Sequence, residues 1–407
     1  MNRFVLAADI GTSSLKAGLI DSEGTIHASV RHRFPSAEDP ASRARAWTKA
    51  FDQAWTSLCR RGGDISAIII SGNGPTLVSA DSKGNPGKVL LWDDPVPESP
   101  SKVHSESLFI PRITAFRTLF PEAYTEARFL FSCPEYLIYS LTANAVTILP
   151  ESRFRNAYWT DHDIEAAGID PAKLPPFVPP GTVAGKTRSG IPVIAGAPDF
   201  FAALIGTGTI LPGKACDRAG TSEGLNICTE QPVSHPSVRT LPSVLSGFWN
   251  ASFLLPETGT LFHNYRKESG KEDLPYPEIL KEILETPGHP GMAVIEKIGF
   301  SIRRGIEILQ AVTGYTPVFT LAGGQAKNNL WNQLKADITG SVFALTRTPD
   351  AELMGDAIIG FTSLGDYGAI QEAADRLVKI SRYFEPSPER LASYSRKYAQ
   401  YDNLQNS

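Results

Sequence analysis

The sequence has little cysteine, histidine or methionine and no uninterrupted apolar run long enough to span a membrane. Its 407 residues include four cysteines without a Cys-x-x-Cys pair and seven scattered histidines. This disfavours a zinc site built by the protein and a disulfide framework. The most apolar stretch, 195–211, is interrupted by Pro198, Asp199 and several glycines. No signal-peptide pattern opens the chain, so a reduced, cytoplasmic setting is expected.

Charge of one sign does not dominate either. The chain has 39 Lys and Arg against 43 Asp and Glu, for a net charge of -4. Without a basic surplus there is no general electrostatic attraction to nucleic acid or to an anionic membrane, and neither partner is expected. The sequence also lacks a GxxxxGK[ST] loop and a GxGxxG turn that opens a βαβ unit. Any ligand must be recognised by local features.

Apolar patterning predicts an α/β protein. Residues 3–34 form three short apolar segments separated by turn residues, which indicates an antiparallel meander. Apolar side chains at three- and four-residue spacing predict helices near 47–58 and 295–312. Residues 95–185 are proline-rich, and we interpret them as an elaboration of the first domain with one helix near 134–141.

An internal repeat suggests a duplicated architecture. Gly11-Thr12-Ser13 and Gly220-Thr221-Ser222 each lie between two predicted strands. Two such copies are typical of a divergent duplication, although a match of three residues also arises by chance. We therefore predict a first domain at 1–207, a second at 208–385 and a tail at 386–407.

Each Gly-Thr-Ser turn is suited to bind phosphate, because it exposes successive backbone N–H groups and two hydroxyls. In the first copy, Asp9 ends a buried apolar strand and could hold Mg²⁺, while Lys16 on the next strand adds a positive charge. The alternative is an ordinary hairpin with a surface carboxylate. The buried position of Asp9 favours a functional role.

Two further positions follow predicted buried strands. Asp199 comes after IPVIAGAP and is either a helix N-cap or a general base that accepts the proton of an attacking hydroxyl. Gly323 and Gly324 lie between a strand and a helix, where the backbone can approach a flat ligand such as adenine closely. Glycines at such turns are also common for steric reasons alone.

In this order, four segments of the chain resemble the FGGY family of carbohydrate kinases over roughly residues 4–366. These segments are ADIGTSSLKAGLIDSEG, IPVIAGAPDFFAALIGTG, AGTSEGL, and LAGGQAKNNLWNQLKADITG with ELMGDAIIG. The resemblance implies two duplicated ribonuclease-H-like domains of the actin-like ATPase superfamily, with mixed sheets flanked by helices and a central cleft. The last segment resembles the adenosine motif of the family.

The resemblance also implies ATP and Mg²⁺ as cofactors and a role for each matching residue. Asp9 and Asp199 would lie around Mg²⁺, with Asp199 as the catalytic base. Phosphate and nucleotide contacts would come from Gly11, Thr12, Ser13, Lys16, Gly220, Thr221, Ser222, Gly323, Gly324 and Asn328.

The departures from the family pattern fall on the sugar side. The family commonly has Gln after its catalytic Asp, where this chain has Phe200. Trp92 and Asp94 keep the Trp-x-Asp pattern of the sugar-binding loop, but Pro95 and Val96 stand where an Arg is expected. Asn73 replaces another usual Gln. The substrate-binding candidates are therefore Asn73, Trp92, Asp94, Asp199 and Phe200, in a chain that is short for the family.

These features predict an ATP-dependent kinase that acts on a hydroxyl of a sugar or polyol. The expected partners are that small molecule and ATP, with a homodimer left open. The alternative is a nucleotide-binding actin-like protein that has lost sugar phosphorylation and acts as a sensor or scaffold. The altered sugar side supports the alternative, whereas both phosphate turns and Asp199 support the kinase.

Overall fold

The computed structural model describes residues 3–35, 40–60, 64–96, 106–220 and 222–405. Its backbone divides into two compact units. Unit 1 comprises Met1–Gly206 and Glu352–Leu377, and unit 2 comprises Thr207–Ala351 and Val378–Ser407. The segment Glu352–Leu377, which the sequence-based boundary assigned to the second domain, thus belongs to unit 1.

Groups of strands and groups of helices follow one another along the described residues. In chain order the strands are β1 (Arg3–Ile10), β2 (Ser14–Asp21), β3 (Ile26–Arg33), β4 (Asp64–Gly72), β5 (Leu77–Ala80), β6 (Pro86–Leu90), β7 (Phe129–Phe131), β8 (Thr147–Ile148), β9 (Phe177–Val178), β10 (Val183–Lys186), β11 (Pro192–Pro198), β12 (Ala215–Ala219), β13 (Glu223–Thr229), β14 (Arg239–Pro242), β15 (Trp249–Leu255), β16 (Phe319–Ala322), β17 (Phe343–Thr346) and β18 (Ile380–Phe384).

The helices cover the sheets. In chain order they are α1 (Pro40–Cys59), α2 (Ile110–Leu119), α3 (Pro121–Glu126), α4 (Cys133–Thr142), α5 (Arg155–Tyr158), α6 (Asp161–Ala166), α7 (Asp199–Gly206), α8 (Thr258–Glu268), α9 (Tyr276–Glu285), α10 (Gly291–Thr313), α11 (Asn329–Thr339), α12 (Ala351–Ser363), α13 (Ile370–Leu377) and α14 (Pro388–Gln405). Short 3₁₀ turns form at Ser152–Phe154, Pro171–Lys173 and Gly324–Lys327.

The main sheets of the two units share one strand plan. In unit 1 the order is β10-β11-β4-β1-β2-β3, and in unit 2 it is β14-β15-β13-β12-β16-β17-β18. In each unit a central strand, β1 or β12, pairs antiparallel with the strand that follows it in sequence and parallel with the strand on its other side. A second parallel strand and an antiparallel edge strand follow in both. This agreement confirms the predicted duplication and the α/β fold with mixed sheets.

Burial along the strands explains why the predicted meander forms. β1 is buried at every residue after Arg3, which is typical of a strand covered on both faces. β3, at the sheet edge, alternates between exposed and half-buried residues, so one of its faces is open to solvent. The predicted helices are present as α1 and α10, and their apolar stripes lie in the cores of units 1 and 2.

Glycines bring α12 into unit 1. A Cβ on Gly355 would overlap the backbone carbonyl of Ala202 in α7, and a Cβ on Gly360 would overlap the Ile69 side chain in β4. Only residues without a side chain allow the helix to pack this closely. This packing is the physical reason that Glu352–Leu377 lies with unit 1.

The predicted tail is a structured part of unit 2. Residues 388–405 form α14, and its Tyr398 is buried against Phe300 of α10, with ring centroids 5.6 Å apart. The Tyr398 hydroxyl donates a hydrogen bond to Glu307 Oε2 at 2.8 Å. The aromatic side chains of α14 complete the core on this side of the unit, so the described part of the predicted tail belongs to unit 2.

Candidate active site

The first Gly-Thr-Ser turn joins β1 to β2 in unit 1. The Gly11 N–H donates to the Ser14 carbonyl at 3.0 Å, and the Thr12 and Ser13 side chains are exposed. Asp9 precedes the turn and is 4% exposed, opposite Lys16 on β2 and Ser71 on β4. The turn therefore presents two hydroxyls beside a nearly buried carboxylate.

Three residues that the sequence analysis did not single out surround Asp9 and Lys16. The Ser71 hydroxyl donates to Asp356 Oδ2 at 2.7 Å and lies 3.4 Å from Asp9 Oδ1. Lys16 Nζ pairs with Glu352 Oε2 at 3.4 Å. Burial raises the pKa of the Asp356 carboxyl well above its usual value. The Ser71 hydrogen bond opposes this rise, and the Asp9 and Glu352 charges add to it.

Glu352 and Asp356 belong to the segment ELMGDAIIG, which the resemblance assigned to the adenosine motif. In the structure this segment starts α12 of unit 1 and borders the first phosphate turn through Lys16. Glu352 and Asp356 were the features of this segment that could have indicated a site from the sequence. Their contacts with β2 and β4 could not be derived from the sequence, because they connect residues more than 280 positions apart.

Asp199 is the first residue of α7 and follows β11 directly. Strands β1, β4 and β11 are parallel neighbours, so Asp9 and Asp199 lie at the same carboxyl-terminal edge of the sheet. Both are close to the buried Cys133 thiol. Burial raises the pKa of this thiol well above its usual value, and the charges of Glu135, Asp9 and Asp199 raise it further.

A chain of hydrogen bonds joins the sugar-side candidates to the first phosphate turn. The Thr76 hydroxyl donates to Asn73 Oδ1 at 2.7 Å and accepts the Trp92 backbone N–H at 3.2 Å. The Trp92 indole Nε1–H donates to Thr12 Oγ1 at 2.9 Å. Asn73, Trp92 and Thr12 are therefore parts of one network within unit 1.

Asp94 and Phe200 contribute mainly to the local framework. Asp94 Oδ2 accepts the Leu91 N–H at 2.7 Å, which closes the loop around Trp92. The Phe200 ring packs edge-on against Phe201, with centroids 5.3 Å apart. Phe200 therefore presents an apolar ring beside Asp199.

A guanidinium group reaches the Trp92 loop from a position that the sequence pattern did not reveal. Arg112 of α2 donates to the Leu91 carbonyl and is 3.4 Å from the Asp94 carbonyl. Burial lowers the pKa of Arg112, and the Asp94 and Asp93 carboxylates partly restore it. The loop lacks an Arg at Pro95 and Val96, and Arg112 brings a positive charge to the same loop from a helix 18 residues away from Asp94 in sequence.

The second Gly-Thr-Ser turn meets the turn at Gly323 and Gly324 in unit 2. We call the latter the nucleoside turn, after its predicted role. The Gly220 N–H donates to the Ser222 carbonyl at 2.8 Å, while Thr221 lies outside the described residues. Gly323 has a φ of +85°, and a Cβ there would overlap the Ala219 carbonyl, so glycine is required at this position. The Gln325 Nε2–H donates to the Gly220 carbonyl at 2.9 Å.

A cavity of about 730 Å³ opens beside these turns within unit 2. Its volume is in the range of small-ligand pockets. Asn328 lines the cavity and also caps α11, with its Oδ1 accepting the N–H groups of Leu330 and Trp331 at 3.1 and 3.3 Å. The lining residues are Gly220, Thr258, Gly259, Thr260, Phe262, His263, Tyr276, Pro277, Leu280, Ile295, Ile298, Gly324, Gln325, Lys327, Asn328 and Trp331.

The sequence analysis identified Gly220, Gly324 and Asn328 of this cavity but missed the wall formed by α8 and α9. That wall includes Phe262 and Tyr276, whose rings are 5.2 Å apart. These residues have the ordinary spacing of amphipathic helices, so no sequence signal separates them from core positions. The aromatic and apolar lining is suited to a flat base such as adenine.

Two features of the described residues limit what else the site can hold. Among the described residues, there is no group of three or more histidine, cysteine or carboxylate side chains that could hold a metal ion. In the same residues, no helix combines the length and apolar character that crossing a membrane requires.

Comparisons with known proteins agree with this arrangement. The model of the FGGY family of carbohydrate kinases, C-terminal domain, matches residues 282–364. A xylulose kinase of Staphylococcus epidermidis is 25% identical over 482 aligned positions, which cover 98% of this chain and 96% of the relative. An autoinducer-2 kinase of Salmonella typhimurium is 23% identical over 488 positions, which cover 96% and 92% of the two chains.

Solved structures show the same fold. The ligand-bound xylulose kinase of Lactobacillus acidophilus superposes with a TM-score of 0.81 at 18% identity and covers 99% of this chain and 98% of its own. The Plasmodium falciparum glycerol kinase with ADP gives a TM-score of 0.80 at 16% identity, with coverage of 100% and 98%. The chain therefore shares the fold of these carbohydrate kinases, and its residues 282–364 match the C-terminal domain of the FGGY family.

Proposed function

We propose that the protein transfers a phosphoryl group from ATP to a hydroxyl of a sugar or polyol, with Asp199 as the general base. The match of residues 282–364 to the FGGY C-terminal domain and the similarity to xylulose kinases support ATP-dependent sugar phosphorylation as the class of reaction. The observation that carries the assignment is the position of Asp9 and Asp199 at one sheet edge, beside a turn with two exposed hydroxyls. Unit 1 would bind the acceptor and unit 2 the nucleotide.

In this proposal, Asp199 accepts the proton of the attacking hydroxyl. Asp199 is the first residue of α7, where the helix dipole favours a negative charge, and a carboxylate there can act as a general base. Thr12 and Ser13 donate hydrogen bonds to the transferred phosphate. Lys16, which pairs with Glu352, supplies positive charge next to them. If Asp199 served only as the N-cap of α7, another residue would have to accept the proton.

The carboxylates fit Mg²⁺. Asp9 and Asp199 offer hard oxygen ligands at one edge, and Mg²⁺ is commonly bound by one or two carboxylates together with substrate phosphates and water. When bound, Mg²⁺ neutralises charge on the phosphates during transfer. Gly11 keeps the turn compact next to these two residues.

The cavity of unit 2 supports the nucleotide assignment. Its walls combine the apolar rings of Phe262, Tyr276 and Trp331 with the turns at Gly220 and Gly324. Adenine would lie against the rings, and the phosphates would extend toward Gly220 and Ser222. Gly323 allows the nucleoside turn to approach the phosphate turn through the Ala219 backbone.

The alternative is a nucleotide-binding protein without kinase activity. The apolar ring of Phe200 beside Asp199 favours it, as does the use of Asp94 Oδ2 to close its own loop. Both features reduce the polar groups that are available to hold a sugar. In that case the protein would bind ATP and act as a sensor or scaffold.

Measurement of ADP release with Mg²⁺-ATP separates the two functions. The relatives and structural neighbours include kinases of xylulose, gluconate and glycerol, so the panel should contain ketopentoses, aldonic acids and polyols. We expect one class to stimulate ADP release. Asp199→Asn should lower this rate by about 10²–10⁴-fold, the usual contribution of a general base, with ADP binding unchanged.

Asp161→Asn is the matched control, because Asp161 is the first residue of another helix of unit 1, α6. It loses the same charge at the same helical position and should keep the wild-type rate. If no acceptor stimulates ADP release while ADP still binds, the sensor function replaces the kinase. If Asp199→Asn keeps the wild-type rate, Asp199 is not the base.

A further inference from the structure

Unit 2 contains a fully buried group of three charged side chains that the proposed mechanism does not use. Lys335 Nζ contacts Asp217 Oδ2 and lies 2.9 Å from Glu223 Oε1. All three side chains have an exposure of 0%. We call Asp217, Glu223 and Lys335 the buried triad.

The buried triad connects the elements that form the nucleotide site. Glu223 is the first residue of β13 and directly follows Ser222 of the second phosphate turn. Lys335 lies on α11, one helical turn after Trp331, which lines the cavity. Its ammonium is 5.8 Å from the centre of the Trp331 ring system. One ion pair therefore joins the end of the phosphate turn to the helix below the nucleoside cavity.

The three groups of the triad shift one another's pKa. Burial and the Asp217 charge raise the pKa of Glu223 to about 8, and Lys335 opposes this rise. Burial lowers the pKa of Lys335, but the two carboxylates outweigh this effect and raise it. The Lys335 ammonium is thus held between the two carboxyl groups.

Stability alone does not account for such a group. Removing charges from water costs several kcal/mol per ion by general estimates, and apolar side chains of similar volume often stabilise a core equally well. An ion pair differs from apolar packing because its atoms must meet at a defined distance and direction. The distinctive contribution of the triad is thus geometric.

Two further contacts restrain the same region. The Gln325 Nε2–H bonds to the Gly220 carbonyl at 2.9 Å, and Gly323 packs directly on the Ala219 carbonyl. Together with the Lys335–Glu223 pair, these contacts hold the phosphate turn from both of its ends. These contacts keep Gly220, which lines the cavity, and Ser222 in a fixed arrangement.

We infer that Glu223 and Lys335 are positioning residues for the nucleotide: their contact holds Gly220, which lines the cavity, and Ser222 in the arrangement that lets the nucleoside and the phosphates of ATP bind together. This inference rests on the proposed nucleotide role of unit 2. Neither side chain touches the nucleotide. Both act through the backbone that follows the phosphate turn.

Calorimetric titration of the full-length protein with adenosine and with ADP tests the inference. Above pH 8, where Glu223 is ionised, Glu223→Gln keeps the side-chain size but removes the charge that pairs with Lys335. It should lower ADP affinity about tenfold, as expected when a site loses part of its preorganisation, while adenosine affinity stays within about twofold. A merely structural role would move the melting temperature without separating the two ligands.

Asp337→Asn is the matched control. Asp337 is also a fully buried carboxylate of α11 in an ion pair, but it faces α14, with Arg390 at 3.2 Å. Asp337→Asn also replaces one carboxylate oxygen by an amide nitrogen, and it should leave the affinities for adenosine and for ADP unchanged. If Glu223→Gln does not fold, Glu223→Asp, which keeps the charge but is one methylene shorter, should give the same selective loss for ADP.

The outcomes are distinct. Unchanged ADP affinity in the Glu223 variants overturns the inference, as does an equal loss for adenosine and ADP, or an equal loss in Asp337→Asn. A wild-type protein that binds ADP while the Glu223 variants behave as wild type overturns the inference but not the proposed function. A wild-type protein that binds neither ligand overturns the nucleotide role itself and the inference with it.

Discussion

The two phosphate turns occupy the same place in the same strand plan, yet their surroundings differ in charge. In unit 1, the residue two positions before the glycine is Asp9, and in unit 2 it is Arg218. The first turn closes from Gly11 to Ser14, whereas the second closes from Gly220 to Ser222 and is one residue shorter. The shared strand plan therefore places a carboxylate before the first turn and a guanidinium group before the second.

The difference indicates how the duplicated fold divides its chemistry. A carboxylate beside the first turn suits a metal-bound phosphate and proton transfer, whereas a cation beside the second suits phosphate binding alone. The buried groups follow the same division. Ser71, Glu352 and Asp356 surround the acid of unit 1, while in unit 2 the charged side chains are buried below the turn as the triad. Backbone topology is shared, and side chains determine the role of each half.

Among the changes that compare the two units, the largest expected effect comes from removing the acid of the first turn. Asp9→Asn should lower sugar-stimulated turnover on the order of 100-fold and raise the Mg²⁺ concentration needed for half-maximal rate, because one metal ligand loses its charge. Steady-state rates across a magnesium titration measure both quantities. Arg218→Gln, at the corresponding position of unit 2, should keep the wild-type magnesium requirement. Equal magnesium requirements for wild type and Asp9→Asn would remove Asp9 from the metal site.

A smaller effect is expected at the nucleoside turn, where two adjacent glycines form a natural pair. Gly323→Ala places a methyl group against the Ala219 carbonyl at a φ of +85°, whereas Gly324 has no atom within 4 Å of its Cβ position. Gly323→Ala should lower the free energy of unfolding by about 1–3 kcal/mol and weaken ADP binding. Gly324→Ala should leave the free energy of unfolding unchanged. Denaturant unfolding of both variants and ADP titration of Gly323→Ala check this, and a similar loss of stability in both variants would contradict it.

The smallest effect concerns pH, because each unit buries a glutamic acid whose pKa is raised. Burial raises the pKa of Glu135 in unit 1 from 4.5 to about 7, against hydrogen bonds from the Ile148 and Ser132 N–H groups. It raises the pKa of Glu223 in unit 2 from 4.5 to about 8. Above pH 4.5 the unfolded chain has released protons that the folded state still holds. The stabilisation is therefore complete below pH 4.5 and lost as pH rises through 7 for Glu135 and 8 for Glu223.

Thermal melts between pH 5 and 8.5 should show the melting temperature falling as pH rises, by roughly 2–4 °C for each kcal/mol lost. Glu135→Gln should flatten this dependence below pH 7, and Glu223→Gln should flatten it up to pH 8. Asp161→Asn, an exposed change, serves as the control and should follow the wild-type curve. A wild-type melting temperature that rises over this range would show that neither glutamic acid holds its proton.

Much of the fold could be predicted because it is encoded in local patterns. The meander, α1, α10 and α11 follow from apolar spacing, and the two Gly-Thr-Ser turns revealed the duplication. Prediction was poorer at 106–185. There the structure forms α2 to α6 with short strands, where the sequence indicated mainly loops around one helix. α2 is buried along most of its length, so it lacks the alternation of polar and apolar faces that identifies a helix.

For the candidate site, the sequence singled out residues with unusual local settings. Asp9, Asp199, Gly220 and Gly323 stand at the ends of buried strands, where a charge or a glycine is conspicuous. Arg112, Glu352 and Lys335 were missed because they lie within helices, where charged residues are ordinary. Their roles depend on what each helix packs against, and no local pattern contains that information.

The sequence by itself determined the strand and helix periods, the duplication and the acids at the strand ends, because these depend on neighbouring residues and on the hydrophobic effect. Only the tertiary structure decided that α12 joins unit 1, that Arg112 reaches the Trp92 loop and that Lys335 pairs with Glu223. Each of these contacts joins residues far apart in the chain. They form only when close packing brings two surfaces together, with glycine or opposite charge at the point of contact.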